Sequence, residues 1–434
     1  MANTDTALTK GTTRPLETAD TAWIVERART VGFDLCGVVR AEKFPELSRT
    51  EEWLARGYAG EMKYLSDPRR ADPTTAMTGV RSVIVCALNY NTAAPRSIDA
   101  LGYGAVAPPS AERLNKPQNE RGWISRYAWG DDYHEVLQGK LRALSAALAE
   151  RFTEPFEARI YSDTGPVNER VLAKHAGLGW IGKNTLLLNA KLGSWFFLGV
   201  ILTTLDLAPT VGEADTPPRD LCGSCTKCIE ACPTDALVEP YVMDSRRCIA
   251  YLTIEYRGSI AEELREAMGR HVFGCDICQD VCPWNRRAPV TALEEFQPRT
   301  FPGEGEQVAG AEENEEESLL LPRLEWLASL NEEQFRDYFR GSPIKRTKWK
   351  GLLRNACTAL GNADYHVAEG EVGDGVTAGE DGSVGAEEPA GSRRYKRRIA
   401  AARHERVLAM LRKLAGSPEP VISESAQWAI SRIE

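Results

Sequence analysis

Residues 222–233 read CGSCTKCIEACP, which places Cys222, Cys225, Cys228 and Cys232 in the spacing C-x2-C-x2-C-x3-C-P. This is the run of the bacterial two-cluster ferredoxins, where three thiolates grip one iron–sulfur cube and the fourth turns to a second. A shorter copy, GCDICQDVCP at 274–283, supplies Cys275, Cys278 and Cys282. It is one cysteine short, and Cys248 is the only nearby candidate to complete it. The pattern assigns Cys222, Cys225, Cys228 and Cys282 to one 4Fe–4S cluster, and Cys232, Cys248, Cys275 and Cys278 to the other. Structural zinc also uses C-x2-C pairs. Eight cysteines in crossed ferredoxin order, with Pro233 and Pro283 after the terminal ones, argue for iron–sulfur instead.

The chain has 434 residues and 11 cysteines. Cys36, Cys86 and Cys357 lie in apolar contexts and are expected to be buried and inert. The N-terminus is polar, with no apolar core of a signal peptide. The longest nearly apolar run, Trp195–Leu202, is far short of the ~20 residues that cross a bilayer. The expectation is a soluble cytoplasmic monomer without a membrane partner, its cysteines binding metal in a reducing compartment. With 43% hydrophobic and 26% charged residues, wholesale disorder and a fibrous repeat are excluded.

The net charge of −9 looks wrong for a nucleic-acid partner, but it is unevenly spread. Gly303–Leu319 carries seven Glu and no base, and Gly361–Gly391 carries eight acids and no Lys or Arg. Setting those 15 charges aside turns −9 into +6. Two basic stretches then stand out: Lys345, Arg346, Lys348, Lys350 and Arg354, and Arg393, Arg394, Lys396, Arg397 and Arg398. Taken alone, such runs read as solvated helix faces.

The fold class expected is a multidomain α+β chain. Residues 1–18 form a disordered lead, and 19–216 an α/β domain. Within it, Val80–Leu88 and Trp195–Thr204 read as strands, Arg159–Ser162 as a short strand and Val167–His175 as a helix. Leu137, Leu141, Leu144 and Leu148 make one helical stripe. Asn91–Arg121 reads as a long surface loop or insertion. Residues 217–290 form a ferredoxin-like unit and 291–319 an acidic linker. Residues 320–434 form a helical, HEAT-like region, interrupted by an acidic disordered insert at 363–392. A pure electron carrier needs only the cluster unit, about 60 to 80 residues on the small-domain scale. About 200 residues precede it here, so that domain should hold the electron acceptor.

The run YSDTGPVNERVLAKHAGLGWIGKNTLLLN at 161–189, with ISRYAWGDDYH at 124–134 upstream, resembles the epoxyqueuosine reductases. These are cobalamin-dependent enzymes that finish queuosine in tRNA. The resemblance covers residues 20–290 closely and the helical C-terminus loosely. It implies that the N-terminal domain holds cobalamin close to the two clusters. It also implies that the epoxide on the cyclopentane ring of the tRNA wobble nucleoside becomes an alkene, taking two electrons and two protons and releasing water. An external electron donor of unknown identity follows from that stoichiometry.

Asp163 matches the family's proton donor and a cobalamin contact, a role that calls for a carboxyl raised by burial in an apolar pocket. Arg70, Ser125, Leu187, Leu198, Ala250, Cys275 and Asp276 match further cobalamin contacts, and Arg257 a tRNA contact suited to phosphate. Asp132-Tyr133-His134 begins the D-x-H-x-x-G motif of base-off, His-on cobalamin sites, but Leu137 stands where Gly is required. His134 is therefore read as part of the family string and not as a cobalt ligand. The runner-up readings are a cytoplasmic corrinoid reductase like the reductive dehalogenases, and an electron-transfer partner.

Overall fold

The structure, a computed structural model of the chain, describes residues 18–102, 120–212, 217–301, 316–363 and 390–434, with the side chains of the last segment given from 401 onward. The N-terminal lead, the middle of the Asn91–Arg121 insertion, most of both acidic stretches and the side chains of Arg393–Arg398 lie outside the described residues.

The N-terminal elements are α1 (Thr18–Val31), β1 (Leu35–Arg40), β2 (Ser82–Asn89), α2 (Tyr133–Arg151), β3 (Ala158–Tyr161), α3 (Glu169–His175) and β4 (Phe196–Thr203). The sheet runs β1-β2-β4-β3 in space with every pairing antiparallel. Alternate strand residues face opposite sides, and the sequence uses both. Val83, Val85, Ala87, Val200 and Leu202 pack with Val171, Leu172 and Ala173 of α3. Ile84, Cys86, Leu88 and Ile201 meet Ile24 and Ala28 of α1 and the stripe Leu137, Leu141, Leu144 and Leu148 of α2. Each fully buried leucine of that stripe contributes about 2 kcal/mol of transfer free energy. Cys86 and Cys357 are buried as expected, whereas Cys36 is only partly covered.

A short parallel pairing of Trp123–Ile124 with His271–Phe273 stitches the segment before α2 to the cluster unit. At the C-terminal end, α4 (Lys348–Gly361), α5 (Ala390–Ala415) and α6 (Pro420–Ile433) share one core with it. Leu352, Ala356 and Leu360 join Leu411, Ala426 and Ala429, and the same cluster takes in Trp123 and Phe273. Gly361 has no side chain because Trp428 fills its place: a Cβ there would lie 2.6 Å from the indole. Among the described residues no helix is long and apolar enough to cross a membrane.

Three sequence expectations are corrected. Asn91–Arg121 is not a surface loop at its start: Asn91, Thr92 and Ser97 are buried. The Ser97 amide donates to Asp280 at 2.8 Å. The acidic linker is closed by a two-stranded ribbon, Thr300–Phe301 against Glu317–Ser318. Glu317 is buried because Arg323 pairs with it. The basic stretch 345–354 is not a uniform solvated face. Arg354 is 1% exposed, and it donates to the carbonyls of Leu252, Tyr256 (2.9 Å) and Gly258 (2.7 Å), clamping the helical region to the cluster unit.

Candidate active site

Asp163 follows the end of β3 on the turn SDTGP. Its φ of +61° lies in the left-handed region, which Asp enters more readily than most residues. Its amide donates to Glu169 Oε1 at 2.7 Å, tying the turn to the first residue of α3. Tyr133 Oη donates to Asp163 Oδ2 at 2.9 Å, and His134 Nε2 stands 3.9 Å from the same oxygen. Burial of the acid, expected from the sequence, is not found: the Asp163 side chain is 71% exposed.

The DYH string acts here through hydrogen bonds. Asp132 caps α2 by accepting the His134 amide, and it holds His134 Nδ1 at 2.7 Å. Lys345 Nζ reaches its other oxygen at 2.7 Å. Burial opposes the charge of Asp132, but the bonds from His134 and Lys345 win and hold its carboxyl well below the usual range. Tyr133 stacks on Phe197, ring centroids 4.4 Å apart. Both nitrogens of His134 thus face carboxylates.

Glu169 keeps some contact with solvent yet is crowded by protein. Burial, then the Asp163 charge, push its carboxyl up to about 8. A raised pKa favours the folded state while the proton is held. That contribution is complete below the ordinary carboxylate range and is lost as pH rises through about 8. Thermal unfolding should therefore show wild-type Tm falling more steeply than that of Glu169→Gln between about pH 5 and 8. Parallel pH profiles would show that Glu169 is ionised in the fold.

The sequence marks Lys345 and Arg346 as part of a basic run but not as neighbours of this site. Both sit on the turn Pro343–Thr347 ahead of α4, where Ser342 accepts the Ile344 amide. Lys345 meets Asp132, and Arg346 makes bonds of 3.0 and 3.1 Å to Glu255. The signal was Ser342-Pro343, a turn start that breaks the presumed helix face.

The remaining sequence candidates fall into connected groups. Arg70 Nη1 donates to the Val167 carbonyl at 3.2 Å, on the Asp163 turn. Leu187 is buried and Leu198 partly exposed, both against the apolar cluster beneath α3. The Leu198 carbonyl accepts from Ser162 Oγ at 3.2 Å. Asp276 is buried and accepts from Ser125 Oγ (2.5 Å), Trp123 Nε1 (2.9 Å) and the Arg126 amide (2.8 Å). Tyr127 bridges the groups, its ring 6.0 Å from Tyr133 and 5.9 Å from Phe273. Gly274 is obligatory at φ +69°, since a Cβ would lie 2.5 Å from that of Ser125. Arg257 donates to the carbonyls of Ile254 (2.8 Å), Thr347 (3.2 Å) and Arg346 (2.8 Å), so its guanidinium also braces the junction with the helical region.

The thiols sort into two neighbourhoods. Cys228 feels Cys282, Cys222 and Cys225, and burial followed by their charges pushes it up to about 11. Cys275 is raised by burial and then by the charges of Cys278 and Cys248, and Cys278 by burial and then by Cys248, Cys232 and Cys228, so the two sets adjoin. Backbone amides already face the sulfurs: Tyr251 and Ala250 toward Cys248, Ile277 toward Cys275, and Trp284 and Asn285 toward Cys282. The Ala236 amide donates to Cys232 Sγ at 3.3 Å. Such N–H···S bonds favour thiolates, the form that binds iron.

Residues 221–285 match the family model of the 4Fe–4S double cluster binding domain. Residues 70–164, which run from Arg70 past Asp163, match the model described as epoxyqueuosine reductase QueG, DUF1730. An epoxyqueuosine reductase of Gloeobacter violaceus is 43% identical over 358 residues, 80% of this chain and 98% of its own length. That of Escherichia coli is 36% identical over 338 residues, 77% of this chain and 79% of its own. A crystal structure of epoxyqueuosine reductase with an epoxyqueuosine-modified tRNA-Tyr stem loop superposes with TM-score 0.71. It is 27% identical and covers 96% of this chain and 90% of that one. A Bacillus subtilis structure, described as having its catalytic aspartate loop swung out of the active site, gives TM-score 0.70 at 27% identity, with 96% and 91% covered. On the strength of relatives this similar along most of its length, the chain belongs to the epoxyqueuosine reductase family.

Proposed function

We propose that the chain reduces the epoxide of epoxyqueuosine in tRNA to the alkene of queuosine, with release of water. One observation carries the reading beyond family membership: Asp163 is an exposed acid with Tyr133 on its carboxylate and His134 beside it. An oxygen leaving carbon needs a proton, and this arrangement offers one.

Cobalamin fits the residues present. Leu198 and Ala250 are partly exposed apolar side chains that a corrin face could cover, and Arg70, Glu169 and Arg170, near the Asp163 turn, are polar groups suited to its amides. Ser125, Leu187, Cys275 and Asp276 complete the proposed contacts. When bound, cobalamin supplies a metal centre that accepts single electrons and delivers a pair to carbon. Cys222, Cys225, Cys228 and Cys282 would hold one 4Fe–4S cluster and Cys232, Cys248, Cys275 and Cys278 the other, and such clusters would supply one-electron transfer from an external donor.

Asp163 gives its proton to the epoxide oxygen. Cofactor and substrate supply the cover that the exposed side chain lacks. Asp132 on Nδ1 orients the His134 ring with Nε2 toward Asp163; once Nε2 has taken a proton from solvent, the imidazolium can return it to the Asp163 carboxylate. His134 is assigned no cobalt-ligating role, because Leu137 stands where the D-x-H-x-x-G motif has Gly. Arg257 and the helical, HEAT-like C-terminal region face the tRNA backbone. The test is nucleoside mass analysis after incubating protein with iron and cobalamin restored, a reductant and epoxyqueuosine-tRNA. Unchanged epoxyqueuosine would reject the reading.

A further inference from the structure

Tyr64 is a large aromatic side chain left 46% exposed. It lies on the turn Lys63–Ser66, and the segment leading to it is fastened to the cluster unit. Trp53 Nε1 donates to the Met243 carbonyl at 2.7 Å, the Ser245 amide to the Tyr58 carbonyl at 2.9 Å, and the Glu61 amide to Tyr251 Oη at 2.8 Å. The ring is thus presented on a braced loop.

Two guanidinium groups frame it. The Cζ atoms of Arg70 and Arg346 lie 5.7 and 5.8 Å from the ring centroid. Each is anchored, Arg70 on the Val167 carbonyl and Arg346 on Glu255. Burial of its packed side, then the charges of Glu255 and Asp163, push the phenol up to about 12, so the ring stays neutral at physiological pH. The same influence places Tyr64 within electrostatic reach of Asp163. Arg257 touches the Arg346 carbonyl at 2.8 Å.

A half-exposed ring with two cations over it, in electrostatic reach of the acid of an enzyme that acts on a polynucleotide, has the composition of a base-stacking platform. Every base offers a π-face, and stacking on an aromatic side chain is sequence-tolerant. Flanking guanidinia add cation–π attraction and draw phosphates. We propose that Tyr64, framed by Arg70 and Arg346, stacks against a nucleobase of the tRNA anticodon loop and so seats the reacting nucleoside beside Asp163. This rests on the function proposed above.

The experiment measures affinity of the cofactor-loaded, full-length protein for an epoxyqueuosine-bearing anticodon stem loop, without reductant. Tyr64→Ala should weaken binding about 10-fold, within the usual worth of one stacked base. Tyr64→Trp, which keeps a π-face, should restore it. Stem loops made abasic at one loop position at a time identify the partner. Removing the stacked base should weaken wild type by a similar factor and add nothing to Tyr64→Ala. Equal affinity of wild type and Tyr64→Ala would overturn the proposal, as would coupling to no loop base. So would loss of cobalamin uptake with tRNA affinity intact, which assigns the ring to the cofactor. Because no turnover is read, a wild type that binds the stem loop but leaves its epoxide intact counts against the function and not against this result.

Discussion

Asp163→Asn should lower single-turnover conversion of epoxyqueuosine-tRNA by about 10²–10⁴-fold, the usual worth of a positioned general acid, with iron and cobalt content unchanged. The substitution isolates the proton. Asn enters the left-handed region at least as readily as Asp, so the φ of +61° is kept. The backbone amide that donates to Glu169 is untouched, and the Asn carbonyl oxygen can still accept from Tyr133 Oη. Only the acid is lost. A residue that merely shaped the turn predicts near-normal turnover with a small loss of stability, because Asn serves such turns well. Conversion within about threefold of wild type, far less than a missing acid costs, would move the proton donor elsewhere. The 71% exposure of Asp163 sharpens the test. An acid already in water owes nothing to its own burial, so its contribution rests on position relative to the bound substrate.

What the sequence made legible follows from how local each signal is. The cluster ligands were readable because ferredoxin spacing encodes them within short loops: Cys222 to Cys232 span 11 residues. The strands β2 and β4 and the stripe on α2 were readable because period and β-branching survive without knowledge of partners. Strand direction was not. Alternating helices and strands are compatible with either sense, and here every pairing of the four-stranded sheet is antiparallel. The charge runs misled for the same reason. Lys345, Arg346, Lys350 and Arg354 are one basic stretch in sequence, yet they meet four different environments: Asp132, Glu255, Glu419 and a set of buried carbonyls. Each of those partners lies at least 69 positions away in the chain, beyond any local pattern. The exposure of Asp163 was equally hidden, since it depends on one backbone angle that the letters SDTGP permit but do not impose.

Cys248→Ser should cut iron from about eight to about four per chain and abolish turnover driven by an external one-electron donor. Cys248 stands apart from both cysteine runs, so its role is the least secure part of the spacing argument and the most informative to test. It lies within electrostatic reach of Cys232, Cys275 and Cys278, with the amides of Tyr251 and Ala250 toward its sulfur. It is also the N-cap of the helix Ile249–Ile254. Serine is a good N-cap, so the helix should persist and the loss should report ligation rather than unfolding. Cys225→Ser should remove the other half of the iron, and Cys357→Ser, buried in α4, should remove none. If Cys248→Ser kept all its iron, another donor would complete that quartet. Stoichiometric zinc in the wild-type protein would defeat the assignment of both quartets, since zinc carries no electrons and the path to the epoxide would be broken at its first step.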